Sequence, residues 1–308
     1  MAPACAACWL GAAIILFTLW KIAKRCGSPK WNPTSSVVIT GASSGIGSEL
    51  AKLYSKRGAR LLLTGRNSER LEAVAAECAK VANALTEIHT CRGDLTEPID
   101  RKELAEQARK YFGAVDMLIL NAGISMDNLF SDTAGDMALF RSLMETNFFA
   151  CVGCAKEFEQ LLKAHRGSKI VVVSSMSGLL PVYRRTGYSA SKHAVHGFFD
   201  SLRLEWSPWD IKVTIACPGF VDTPIRETAV REGRAVELRS PEKHLVSAAS
   251  CARDIALAVD QNQVHAIFSL RDRLAGWCFL LPGLGSVVRW GIARKFRAQI
   301  ESDLKGRL

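Results

Sequence analysis

The chain has 308 residues, of which 48% are hydrophobic and 23% charged, and it carries a net charge of +10. That balance excludes a disordered chain, and the length accommodates one α/β domain with extensions. The positive charge suits an anionic partner such as a phosphorylated cofactor or a phospholipid surface; nucleic acid is set aside, because no binding motif accompanies it. The ten cysteines are scattered through apolar periodic segments without zinc-finger pairing, which reads as reduced thiols and no metal site.

In chain order, the first feature is an uncharged run from Ala2 to Trp20, "APACAACWLGAAIILFTLW". As a helix rising about 1.5 Å per residue it nearly matches the hydrocarbon thickness of a bilayer. The run predicts an N-terminal membrane helix over residues 1–22. A basic linker, 23–34, holds Lys24, Arg25 and Lys30 and turns the rest of the protein toward the cytosol. The competing reading, a cleaved signal peptide, lacks a charged start and a small-x-small cleavage site.

Residues 35–270 alternate short β-rich apolar runs with longer amphipathic stretches. Strands are predicted over 36–41, 59–65, 87–95, 115–123, 169–175, 211–219 and 264–270. Together they make a Rossmann-type, doubly wound, seven-stranded parallel sheet with helices on both faces. After the first strand, "TGASSGIG" places Gly41, Gly45 and Gly47 in a strand–turn–helix, with Ser43, Ser44 and Ile46 between them. Glycine permits the sharp turn and close approach, and the helix start offers unpaired N–H groups and a positive dipole end, so the turn predicts a dinucleotide phosphate site. The second strand ends in Gly65 and Arg66, where a fold that prefers NAD(H) carries an acid for the ribose. NADP(H) is therefore favoured over NAD(H), against the plainer reading of Arg66 as a solvated loop residue.

Further along, "TGYSASKHAVHGFF" sets Tyr188 and Lys192 one turn apart on a helix. The extension, 271–308, contains "LAGWCFLLPGLGSVVRW", which Pro282 and its glycines break too often for a confident span. Trp277 and Trp290 near its ends and a basic tail leave two readings open: a hairpin lying on anionic lipid, or helices packed on the domain.

"TGASSGIG", "GDLT", "LNAG", the asparagine of "METNFF", "VSSMSG", "YSASK" and "CPGFVDT", in this order, resemble the short-chain dehydrogenase/reductase family over about residues 35–270. Within the family the sequence looks closest to the membrane-associated dehydrogenase/reductase member seven subgroup. The resemblance implies an NADP(H)-dependent oxidoreductase interconverting a carbonyl and a secondary alcohol. Tyr188 would be the acid–base, Lys192 the cation favouring its phenolate and touching the nicotinamide ribose, Ser175 the holder of the substrate oxygen, with Ser174 as the neighbouring choice. Asn147 would order a water leading from Lys192 to solvent. Asp94 and Leu95 would lie beside the adenine, Asn121, Ala122 and Gly123 at the end of the fourth strand, and Pro218, Gly219, Val221 and Thr223 at the carboxamide.

Arg184 and Arg185 border the substrate side in the family, and either a substrate phosphate or plain solvation accounts for them. His193 and His196 are read as helix surface or satisfied histidines. The subgroup implies hydrophobic substrates (lipids, steroids, retinoids or acyl- and alkyl-dihydroxyacetone-phosphate-like carbonyls), a homodimer or homotetramer, and an endoplasmic reticulum membrane location. A tethered NADP(H)-binding scaffold or redox sensor is the alternative function.

Overall fold

The computed structural model describes residues 31–82, 86–133, 137–226, 229–231, 234–236, 245–281 and 283–305. The expected membrane helix over 1–22 and most of the linker lie outside these residues. Strand β1 (Ser36–Thr40) runs into helix α1 (Gly45–Lys56), followed by β2 (Arg60–Gly65), α2 (Ser68–Lys80), β3 (Ile88–Arg92) and α3 (Pro98–Phe112). After β4 (Met117–Leu120) come α4 (Ala138–Met144), a π-helical turn Glu145–Phe149, and α5 (Ala150–Lys163). The second half holds β5 (Lys169–Val173), α6 (Thr186–Glu205), β6 (Lys212–Ala216), α7 (Ala248–Asp260), β7 (His265–Ala266), α8 (Leu270–Leu280) and α9 (Leu284–Lys305).

The seven strands form one sheet in the order β7-β6-β5-β4-β1-β2-β3, with every pairing parallel. Val37 of β1 stands between Leu61 of β2 and Met117 of β4, so β1 is central and the order reverses beside it. At such a reversal the loops beyond the strand ends diverge and leave a crevice, the usual ligand position in an open α/β sheet. The strands read as apolar runs because both faces are covered. One face packs Leu62, Leu118 and Val172 against Phe158 and Phe199 of the helices. The other packs Ile39, Leu63 and Val171 against Leu50, Tyr54 and Ile255. Burial of each large side chain contributes roughly 1.5–3 kcal/mol, which is why this two-sided core fixes the register.

The expected strands are all present, and all but 59–65 stop short of the expected C-terminal end, for a reason that bears on function. The Asn121 N–H turns to the Thr40 hydroxyl at 2.9 Å, and Pro218 has no N–H to offer a ladder. Likewise 264–270 pairs only at His265–Ala266, because Ser269 caps α8 by accepting a hydrogen bond from the Asp272 N–H. The residues that leave the ladder are those that build the cleft.

Candidate active site

At the C-terminal edge of β1, β4, β5 and β6 lies a cleft of about 340 Å³. Its floor is the first turn. Gly41 and Gly45 have φ of 63° and 59°, in the left-handed region that side chains rarely adopt. A Cβ on Gly47 would stand 2.3 Å from the Gly41 carbonyl oxygen, so the turn and the helix start can approach only without one. Ser44, which precedes α1, makes no side-chain cap, and the first turn of α1 holds no acid. The N–H groups and dipole at this helix start are therefore offered to an outside anion, and a dinucleotide phosphate fits the cradle.

Around that floor the cleft collects Ser43, Ser44 and Ile46, then Arg66, Asp94 and Leu95 on one side. Asn121, Ala122, Gly123, Pro218, Gly219, Val221 and Thr223 lie on the other, with Ser175, Arg185, Tyr188 and Lys192 at the far end. Gly47 and Asn147 stand behind the lining and support it. Asn121 donates from Nδ2 to the carbonyl oxygens of Thr40 and Gly41, both at 3.1 Å, which ties β4 to the glycine turn.

Helix α6 delivers Tyr188 and Lys192 because positions 188, 191, 192, 195 and 199 recur on its buried face. Tyr188 packs with Met126 and Leu143, and its backbone N–H points at the Met126 sulfur. The Lys192 ammonium lies 5.8 Å from the centre of the Tyr188 ring and donates to the Val173 carbonyl oxygen at 3.1 Å. Arg185 brings a second cation 5.6 Å from the same ring and donates to the Ser125 hydroxyl.

Ser175 and Ser174 are told apart by their neighbours. Ser174 is buried, and its hydroxyl oxygen sits 2.9 Å from His196 Nε2. Ser175 is only partly covered, and its oxygen accepts the Ser177 N–H, which leaves its own hydroxyl proton to donate into the cleft. Asn147 is fully buried in the π-helical turn. Its Oδ1 accepts the Ile124 N–H at 2.8 Å, and its Nδ2 donates to the Ile124 carbonyl oxygen and to the Ser191 hydroxyl, both at 3.0 Å. What the structure gives this side chain is a clamp joining the end of β4 to α6.

Arg184 departs from the expected substrate side. Its side chain is 4% exposed, donates to Asp127 through Nε at 2.7 Å, and donates to Asp303 of α9 through Nη1 at 2.9 Å. A guanidinium held by two carboxylates under the loop is a structural tie, and it lies outside the cleft lining.

His196, read from sequence as a satisfied or surface histidine, is buried between the ends of β5 and β6, with Cys217 Sγ 3.7 Å from its Nε2. A Cβ on Gly178 would come within 2.8 Å of that same nitrogen. Burial is the main cause that pulls its pKa down to about 4; nearby His265, His193 and Lys192 act in the same direction and Asp200 opposes them. The imidazole is thus neutral and braces the serine loop. Asn67 and Arg70 also line the cleft beyond the residues picked out by motif. Their signal was positional: they open the helix that follows β2, where Asn67 accepts the Arg70 N–H as a cap.

The glycine turn, the strand-order reversal and a tyrosine–lysine helix in one cleft define a Rossmann-fold oxidoreductase of the type that binds a nicotinamide cofactor. Residues 35–233 match the family model described as short chain dehydrogenase, and the chain belongs to the short-chain dehydrogenase/reductase family. It is 36% identical over 289 residues to a Mus musculus protein named "Dehydrogenase/reductase SDR family member 7B", covering 92% of this chain and 88% of that one. A Dictyostelium discoideum "Dehydrogenase/reductase SDR family protein 7-like" is also 36% identical, over 78% of this chain and 76% of its own length. An Arabidopsis thaliana "11-beta-hydroxysteroid dehydrogenase-like 2" is 34% identical over 82% and 79%. Among solved structures, levodione reductase shares the fold with a TM-score of 0.67 at 23% identity, over 77% of this chain and 95% of its own.

Proposed function

We propose that the protein interconverts a carbonyl and a secondary alcohol on a hydrophobic substrate with NADP(H). The observation that carries this reading is the meeting of Ser175, Tyr188 and Lys192 with the glycine cradle in one cleft. When bound, the nicotinamide supplies the hydride in reduction and receives it in oxidation. The chain's own part is to hold and polarise the oxygen. In reduction Ser175 donates a hydrogen bond to the carbonyl oxygen, and Tyr188 passes its hydroxyl proton to that oxygen as charge develops. A proton then returns to Tyr188 from solvent through Lys192 and a water held beside Asn147.

The preference for NADP(H) rests on Gly65, Arg66 and Arg70. No carboxylate ends β2, and two guanidinium groups line that side of the cleft. Arg66 stands 3.8 Å from Asp94, with both side chains well exposed, a contact worth about 0–1 kcal/mol that leaves it available to a 2′-phosphate. Reversing both charges, Arg66→Glu with Arg70→Glu, is expected to weaken NADPH binding by roughly ten- to a hundredfold while leaving NADH unchanged, read by nucleotide fluorescence titration. An equal loss for both nucleotides would remove the argument for NADP(H).

The hydrophobic substrate class is supported by a second cavity of about 460 Å³ that shares the Pro218–Val221 wall with the cleft and is lined by Met176, Leu180, Phe268 and Phe296. Lipid, steroid, retinoid or acyl/alkyl-dihydroxyacetone-phosphate-like carbonyls fit that description. The proposal includes an N-terminal anchor over 1–22 in the endoplasmic reticulum membrane, a cytosolic catalytic domain, and a homodimer or homotetramer. The alternative, a tethered NADP(H)-binding scaffold, requires cofactor binding without turnover.

A further inference from the structure

The C-terminal helices α8 and α9 present two unlike faces. Inward, Phe296 is 6% exposed, Phe279, Val288 and Ile292 pack against the main core, and Asp303 is held by Tyr183 and Arg184. Outward, Leu274, Trp277, Leu281, Leu284, Val287 and Trp290 are each about half exposed or more, and Leu280 reaches 80%. Leu274, Trp277 and Leu280 recur three apart in α8 and Leu284, Val287 and Trp290 three apart in α9, so each helix carries an outward apolar ridge. Scattered exposed leucines need no explanation, but a ridge of this length with two tryptophans does.

Charge decides what covers it. Arg271, Arg273, Arg289, Arg294 and Arg297 are exposed around the ridge, against one acid, Asp272, between residues 270 and 297. A second copy laid ridge to ridge would bring like charges together, whereas an anionic lipid surface neutralises them. Tryptophan carries an apolar body and an N–H donor, which suits the boundary between headgroups and acyl chains. No helix among the described residues is long and apolar enough to cross a membrane.

We propose that the α8–α9 hairpin is a docking face for the surface of an anionic bilayer, entered by the Trp277–Trp290 ridge and held by its arginine border. The uncharged run Ala2–Trp20 of the same chain would keep the domain beside that bilayer. Arg271, Ile292, Lys295 and Phe296 of the hairpin also wall the 460 Å³ cavity, so docking sets that cavity on the lipid side of the domain. The docking itself does not depend on the carbonyl chemistry, and its test reads no turnover.

The test uses the full chain reconstituted in vesicles of phosphatidylcholine with phosphatidylserine, doped with a phospholipid bearing a photoactivatable group on its acyl chain. After illumination, lipid adducts are mapped by peptide mass spectrometry. Adducts over 274–290, in addition to those in 1–22, are expected. Their yield should fall severalfold in phosphatidylcholine alone and in Arg294→Glu with Arg297→Glu. A second variant, Leu280→Glu, should lose the hairpin adducts while NADPH binding stays intact, which separates lost docking from misfolding. Adducts confined to 1–22, or cross-links between hairpins of two copies in place of lipid adducts, would overturn the proposal.

Discussion

The cleft end of the sheet and the C-terminal hairpin are built on opposite terms. The polar groups that brace the cleft are answered inside the molecule: Asn147 by Ile124 and Ser191, Ser174 by His196, Lys192 by Val173. In the hairpin the inner face is secured and the outer apolar face has no internal answer. A site that must hold a proton path in one geometry needs its groups satisfied and fixed. A face left apolar and ringed by cations needs something outside the protein, so the two regions should respond to substitution in different ways.

The largest expected effect is at the cleft. Tyr188→Phe removes the proton that reduction requires, and turnover should fall by about 10²–10⁴-fold with NADPH affinity unchanged, measured by steady-state rates beside fluorescence titration. Unchanged turnover would remove Tyr188 from the chemistry, and NADPH binding without turnover in the unsubstituted protein would leave the scaffold reading standing. Next is the tie between the two regions: Arg184→Ala strands the Asp127 and Asp303 carboxylates and should cost about 3–5 kcal/mol in a denaturant titration. A loss below 1 kcal/mol would mean that the loop and hairpin are held by other contacts.

The third prediction concerns pH. His196 has a folded pKa near 4 against an ordinary 6.5, so below pH 6.5 the unfolded chain binds a proton that the folded one refuses. Its contribution is fully present above the unfolded value and is lost as pH falls toward 4, at about 1.4 kcal/mol per pH unit at most. Chemical denaturation at pH 7 and pH 5 should show a drop that His196→Gln diminishes; an identical drop in both proteins would assign it to other groups. Smallest is the ridge itself. Leu280→Lys in the domain should change stability by about 0.5 kcal/mol or less, whereas Phe296→Ala on the inner face should cost about 3–5 kcal/mol. A large loss at Leu280 would show that the ridge is covered within the protein.

These contrasts also mark what sequence could reveal. The sheet was legible because buried parallel strands are written as apolar runs, and the glycine turn and Tyr188–Lys192 because each depends on local spacing. Strand ends were overextended, since the chain leaves the ladder at Asn121 and Pro218 to make the cleft, and nothing in their apolar neighbourhood marks the exit. The role of Arg184 was not legible at all: its partners lie 57 and 119 residues away, and a buried ion pair leaves no periodic trace. His196 continues the stripe of Tyr188 and Lys192 by one more turn, so its position could be read but its brace against Ser174 could not. The hairpin showed its composition without showing which face was outward.

The central claim is that this cleft carries out hydride chemistry on a carbonyl, and isotope transfer tests it most directly. The protein is given NADPH deuterated at the transferable position and a panel of ketones from steroid to long-chain lipid, and products are read by mass spectrometry. The account predicts alcohol carrying deuterium on the carbinol carbon, made faster with NADPH than with NADH and absent in Tyr188→Phe. Deuterium transfer that persists in Tyr188→Phe, or tight NADPH binding with no transfer to any member of the panel, would contradict it.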